Sequence, residues 1–327
     1  MVGFILAILL WFWVSPWPGA MLIRAVFSQN DQKTTQALEK HQPTTPVTTL
    51  SNQAYRLNDG DARLDVYFPS NVTADQKLPL LIWTHGGAWV SGGKEDNYPY
   101  YKLLAAEGFA VISLDYSRGP ERTYPTAVHQ INDAYQYIQA NADRFHVDTN
   151  KIMLAGDSAG SQLSSQMAAL VTNPDYAASM NITPNLKPEQ LKGVVLNCGI
   201  YKMEGLIQPN PELPKIIGWG DDVSVWAYLG SRDFEVASKL TEMSAFYHVT
   251  KDFPATYMSG GNGDPLTNAQ SKPLADKLEG LGVNVTRLFY ADNHQPSLPH
   301  EYQFNLDNDD GKKALAETIA FIKRVSQ

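Results

Sequence analysis

The chain has 327 residues, 43% of them apolar and only 18% charged, which is enough material for a buried core and excludes a disordered polyelectrolyte. The net charge of −8, with no long basic run, argues against a nucleic-acid-binding surface. The single cysteine, Cys198, forbids an intrachain disulfide and a cysteine-based zinc cluster.

The N-terminus differs from the rest. No charged side chain occurs from Val2 to Ile23, and the run ends at Arg24. Those 22 residues could span a bilayer of about 30 Å as a helix. Pro16 and Pro18 oppose one uninterrupted helix, whereas Trp11, Trp13 and Trp17 suit a membrane interface. Residues 1–24 are therefore expected to be a membrane anchor, and the protein membrane-associated through it. A cleaved signal is the alternative, leading to export, but there is no basic n-region and no clear cleavage site. Arg24, Lys33 and Lys40 behind the segment tilt the large domain toward the cytoplasmic side. Residues 25–54 read as a membrane-proximal helix and a linker, the polar, proline-bearing stretch 41–54 being the linker.

From residue 55 to the end, apolar runs alternate with helical patterns. Strands are predicted over 62–68, 78–84, 110–114, 152–155, 194–197, 255–259 and 283–290. Helical stripes fall at Val128, Ile131, Tyr135 and Ile138, at Leu274, Leu278 and Leu281, and at Leu315, Ile319 and Ile322. This alternation predicts an α/β fold, a mostly parallel central sheet flanked by helices. Residues 200–245 break the rhythm with three prolines and no convincing strand, and are expected to form a small helical cap. The aromatics Tyr201, Trp219, Trp226 and Tyr228 within it suggest an apolar acyl pocket.

Gly156-Asp157-Ser158-Ala159-Gly160 directly follows the 152–155 strand and opens a helical run. In that context G-x-S-x-G is a nucleophile elbow, a sharp turn that lifts the serine oxygen above the sheet. Gly156 and Gly160 allow strand and helix to approach closely, and Asp157 is expected to support the turn. A serine hydroxyl is a weak nucleophile near neutral pH and needs a base beside it. His85-Gly86-Gly87-Ala88-Trp89 ends the 78–84 strand. The N–H groups of Gly86 and Gly87, with that of Ala159, are expected to bind a developing oxyanion, and His85 to hold the loop.

These two motifs resemble those of the hormone-sensitive-lipase-like esterase group of the α/β-hydrolase superfamily. That group carries His-Gly-Gly-Gly or His-Gly-Gly-Ala-Trp loops and a Gly-Asp-Ser-Ala-Gly elbow. Asp115-Tyr116-Ser117 with Pro120-Glu121 also resembles its Asp-Tyr-Arg-Leu-Ala-Pro-Glu stretch, with Ser117-Arg118-Gly119 replacing part of it. The resemblance covers about residues 60–325. It implies Asp264, in Gly260-Gly261-Asn262-Gly263-Asp264-Pro265, as the acidic partner, and the order Ser158…Asp264…His agrees. Two histidines follow the last strand. His300 is favoured, because His300-Glu301-Tyr302-Gln303-Phe304 looks like the group's segment before the last helix; His294 is the alternative.

The expected function is hydrolysis of small-molecule carboxylic esters by a serine nucleophile, with no cofactor and no metal. A deacetylase, a feruloyl-type esterase or an amidase or formamidase fits the same motifs, and a non-catalytic, membrane-tethered binding protein is the reading from another class. Asp307, Asp309, Asp310 and Gly311 hint at a calcium loop, but its twelfth position is Thr318 rather than Glu.

Overall fold

The computed structural model describes residue 6 and residues 10–208, 214–232 and 237–327. Among these an eight-stranded sheet runs in the order β1-β2-β4-β3-β5-β6-β7-β8. Its strands are β1 (Val47–Ala54), β2 (Arg63–Pro69), β3 (Leu78–Thr84), β4 (Ala110–Leu114), β5 (Val147–Asp157), β6 (Leu191–Asn197), β7 (Ala255–Gly260) and β8 (Val285–Phe289). β2 is antiparallel to both β1 and β4, and every other pairing is parallel.

The seven predicted strands are present, and β1 is an eighth. Its residues were expected to be linker. They instead pair with β2 from Val47 opposite Pro69 to Ala54 opposite Arg63, with an irregularity between Leu50 and Gln53. β1 is the outermost strand and only partly buried, so it needs no apolar alternation, while its β-branched Val47, Thr48 and Thr49 favour the extended backbone.

Side chains of the central strands divide between two faces with period two. Leu80, Ile82, Ile112, Leu114, Leu154 and Val194 pack into one apolar cluster. Leu81, Trp83, Val111, Met153, Ala155 and Val195 join the other. The main helices are α1 (Trp17–Leu38), α2 (Tyr98–Ala106), α3 (Thr126–Ala140), α4 (Ala159–Thr172), α5 (Lys215–Leu229), α6 (Lys272–Gly280) and α7 (Asp309–Val325). Of these, α3, α4 and α6 bury residues in the first cluster, and α2 and α7 in the second. This two-faced covering makes the molecule an α/β-hydrolase fold.

The N-terminal expectation meets the described structure only in part. Residues 1–5 and 7–9 of the expected anchor lie outside the described residues. Residues 17–23 belong to α1, which begins after Pro16 and packs on the rest of the molecule. Gly19, Ala20 and Ile23 are buried, the latter two in a small cluster with Val90, Val223 and Ala227. A Cβ on Gly19 would stand 2.8 Å from Val223, so α1 and α5 approach where only glycine fits. Among the described residues no helix is long and apolar enough to cross a membrane. Ala20 and Ile23 are thus occupied by protein packing, whereas Trp17 and Leu22 are exposed, and Arg24 ends the run because it is a clamp. Its guanidinium donates to both Glu121 carboxylate oxygens, at 2.6 and 2.7 Å, and to the carbonyls of Val90 and Gly119.

The expected interruption at 200–245 is helical among its described residues. It contains α5 and the short helices Glu204–Ile207 and Ala237–Met243. With α1, this region overlies the strand ends that carry the elbow.

Candidate active site

The elbow forms where β5 meets α4. Ser158 has φ 50° and ψ −121°, a strained backbone for a residue with a Cβ. The turn closes only because its glycines are small: a Cβ on Gly160 would lie 2.0 Å from the Thr84 carbonyl oxygen. Ser158 is thus aimed over the sheet, at the N-terminus of α4, into a cavity of about 1350 Å³.

Asp264 and His300 line the same cavity. Asp264, 3% exposed, accepts the Leu266 N–H at Oδ1 (2.9 Å), and the His300 Nδ1–H reaches its Oδ2 at 2.8 Å. The loops carrying them are laced together. Gly263 N–H donates to the Leu298 carbonyl, and Leu298 N–H to the Asn262 side chain, both at 2.9 Å. Burial pulls the His300 imidazolium down, but the adjacent Cys198 sulfur, the Asp264 carboxylate and the hydrogen bond to Asp264 hold its pKa well above the usual histidine value. His294 is elsewhere. Its Nε2 meets Asp310 Oδ2 at 2.9 Å, its ring contacts Tyr290, and it does not line the cavity. Of the two histidines, the fold brings His300 to Asp264.

The loop after β3 departs from expectation at one residue. Gly86 N–H donates to Asp157 Oδ2 at 2.9 Å and so does not face the cavity. Gly87 and Ala88 line the cavity instead, Ala88 with φ 51°. The deciding group is Asp157, which is buried and also accepts the Trp83 indole N–H at 2.7 Å. It ties the elbow to the neighbouring loop, and burial together with the Glu301 charge pushes its carboxyl well up. His85 is buried and stacked on Tyr116, with Nδ1 2.8 Å from the Gly86 carbonyl oxygen; burial lowers its pKa to about 3.

The expected aromatic pocket is corrected as well. Tyr201, Trp226 and Tyr228 are buried, and of the four aromatics only Trp219 lines the cavity. The sequence reading placed a helix within residues 25–54 but missed that this part of α1 lines the cavity. It supplies Phe27, Asp31 and Thr34 to the wall. The spacing Phe27, Asp31, Thr34 is one helix face, but polar residues on that face gave no apolar signal.

A family model, BD-FAE, matches residues 64–278, which is most of the chain and includes the elbow, the β3 loop and Asp264. This chain belongs to the BD-FAE family. Among its relatives are an esterase of Gibberella moniliformis, 26% identical over 76% of this chain and 76% of the relative, and esterase LipC of Mycobacterium tuberculosis, 30% identical over 59% of this chain and 47% of its own. The chain thus spans about half the length of the mycobacterial relative. In overall fold this BD-FAE member is similar to esterase B of Lactobacillus rhamnosis, with TM-score 0.78 and 19% identity over 94% of this chain and 97% of that one.

Proposed function

We propose that the chain is a carboxylesterase-type serine hydrolase working through an acyl-enzyme. The observation that carries this reading is the 2.8 Å Asp264–His300 pair in the same cavity as a serine on a strained elbow. Ser158 Oγ attacks the ester carbonyl and passes its proton to His300 Nε2. Asp264 holds the Nδ1–H, fixing the tautomer and stabilising the imidazolium. The N–H groups of Gly87, Ala88 and Ala159 receive the oxyanion, each such donor contributing about 10²–10³ in rate. His300 then protonates the departing alcohol, and water attacks the acyl-enzyme by the same route. His300 opens onto the cavity with 36% of its side chain accessible, as a group that shuttles protons to substrate must. Esterase relatives and the family membership support this chemistry over a binding-only role.

The substrate class is a neutral carboxylic ester. The cavity exceeds the roughly 300–1,000 Å³ usual for small ligands and leaves room for both acyl and alcohol parts. Asp221, Asp222 and Glu301 outnumber Lys33 and Lys215 on its wall, a balance that disfavours anionic substrates. Hydrolysis of p-nitrophenyl esters of graded chain length tests the reading. Turnover is expected, and Ser158→Ala should reduce it at least 10³-fold with circular dichroism unchanged. Activity surviving Ser158→Ala overturns it.

We further propose that residues 10–17 rest on a membrane surface rather than span it. Leu10, Trp11, Trp13, Val14 and Trp17 are exposed, and residues 10–14 are helical. Full-length chain should float with phosphatidylcholine vesicles, and the triple variant Trp11→Ser, Trp13→Ser, Trp17→Ser should not. Equal flotation of both, or none by either, overturns this.

A further inference from the structure

The single cysteine of the chain stands behind the Asp264–His300 pair. Cys198 follows β6 with φ 42°, a left-handed backbone that a side-chain-bearing residue seldom adopts, and its N–H donates to the Ser259 carbonyl at 2.9 Å. This conformation turns the thiol inward, where the residue is 1% exposed. There Sγ, a carboxylate oxygen of Asp264 and a ring nitrogen of His300 all lie within 4.8 Å of one another. Ester hydrolysis uses the imidazole and the carboxylate but has no task for a thiol.

We propose that Cys198, Asp264 and His300 form a three-ligand site for a borderline-soft divalent cation, zinc above all, and that its occupancy switches the hydrolase off. Thiolate, imidazole and carboxylate are the donors zinc takes, at about 2.0–2.3 Å, so that three of them around one ion lie about 3.3–3.8 Å apart. The present group brackets that spacing, from the 2.8 Å pair to the 4.8 Å limit. The charge balances too: a dication with one thiolate and one carboxylate is neutral, as a site this buried requires. Magnesium and calcium prefer all-oxygen sets and are poor candidates. The ligands are held from outside. Asp264 Oδ1 accepts the Leu266 N–H, and the Gln303 amide nitrogen lies 3.9 Å from Sγ. The accessible side of His300 gives the ion a route in from the cavity.

With the His300 ring neutral, binding releases one proton, that of the Cys198 thiol. The cation takes the place of the Sγ–H proton as the thiol becomes a thiolate ligand. The metal replaces the proton on His300 Nδ1, and the ring, remaining neutral, carries that proton on Nε2. An Nε2–H cannot accept the proton of Ser158, so attack on the ester stops. No oxidation or reduction is involved. The inhibition rests on the hydrolase reading, whereas the binding does not.

The test uses full-length chain with cobalt chloride and zinc chloride. Cobalt should give a thiolate-to-cobalt charge-transfer band in the near ultraviolet, a band only Cys198 can supply because the chain has no other cysteine. Zinc should abolish the band at one equivalent. Cys198→Ser and Cys198→Ala should lack it, Asp264→Asn should weaken it, and Ser158→Ala should keep it. In the ester assay zinc should inhibit reversibly, with activity restored by EDTA. The inhibitory concentration should rise at least tenfold for the folded cysteine variant, each rate taken against its own zinc-free value. A band in Ser158→Ala when the wild-type chain hydrolyses no ester retains the site while removing the hydrolase. Absence of the band in wild-type chain overturns the proposal, as does inhibition of the cysteine variant at the wild-type zinc concentration.

Discussion

The indole of Trp89 lies flat against the Tyr228 ring, with centroids 5.4 Å apart and planes 11° from parallel. This stack joins the loop after β3 to the last turn of α5. The Tyr124 N–H adds to it by donating to the Tyr228 carbonyl at 2.8 Å. Tyr228 is fully buried, yet among the described residues its hydroxyl has no hydrogen-bond partner. Removing the hydroxyl and removing the ring should therefore have opposite consequences. Tyr228→Phe deletes an unsatisfied polar group and should leave Tm unchanged or raise it. Tyr228→Ala opens a cavity and should cost about 3–5 kcal/mol, with a fall in kcat as the loop bearing Gly87 and Ala88 loosens. Thermal unfolding and ester turnover of the two variants check this. A drop in Tm for Tyr228→Phe as large as for Tyr228→Ala would contradict it.

The two histidines after β8 should separate cleanly. His300→Ala removes the group paired with Asp264 and should lower kcat about 10⁴-fold. His294→Ala removes a partly exposed pair with Asp310 and should cost no more than about 1 kcal/mol of stability, with turnover near wild type. The acidic limb of kcat/KM carries the sign of the His300 shift. The base acts in its neutral form, so activity is lost as pH falls through its pKa, and that limb should lie above the ordinary histidine value. In Asp264→Asn the raising charge is gone, so any residual activity should persist to lower pH. A wild-type limb at or below the ordinary value would count against the pairing.

Asp31, on the α1 wall of the cavity, is raised to about 8 by burial and then by the charges of Asp96 and Glu301. Folded chain therefore keeps the proton that unfolded chain loses near pH 4. Its contribution to stability is fully present below pH 4 and is lost as pH rises to about 8. Asp31→Asn cannot ionise and should melt at a higher temperature than wild type at pH 8. The gap should shrink to nothing near pH 4. Calorimetric scans across that window measure the difference, and a gap independent of pH would refute the assignment.

How much of this could be read in the sequence depends on how local its cause was. Gly156 and Gly160 announced the elbow because a backbone contact there leaves no room for a Cβ. The buried strands were legible from their apolar runs. β1 was not, since an edge strand is specified by pairing to β2 and tolerates threonine and serine. Which N–H groups face the cavity was not legible either, because that depends on Asp157 reaching across to Gly86. Ala20 and Ile23 were ambiguous for the opposite reason: side chains buried against another helix and side chains bound for lipid have the same composition. Only Val223, two hundred residues away, distinguishes them.

Arg24 offers the most direct check on the packing of α1. Its guanidinium makes two bonds to Glu121 and one each to the carbonyls of Val90 and Gly119, so it ties α1 to the loops beside the oxyanion residues. Lysine keeps the charge but cannot reproduce a planar fork reaching four acceptors. Arg24→Lys should therefore behave nearly like Arg24→Ala, each losing about 2–3 kcal/mol of stability and raising KM as the α1 wall of the cavity loosens. Glu121→Gln, which retains an acceptor for the fork, should lose less than half as much. Denaturant unfolding and KM for a p-nitrophenyl ester distinguish the cases. If lysine restored wild-type stability, charge alone would be doing the clamping, and the tie between α1 and the Val90 and Gly119 carbonyls would not matter.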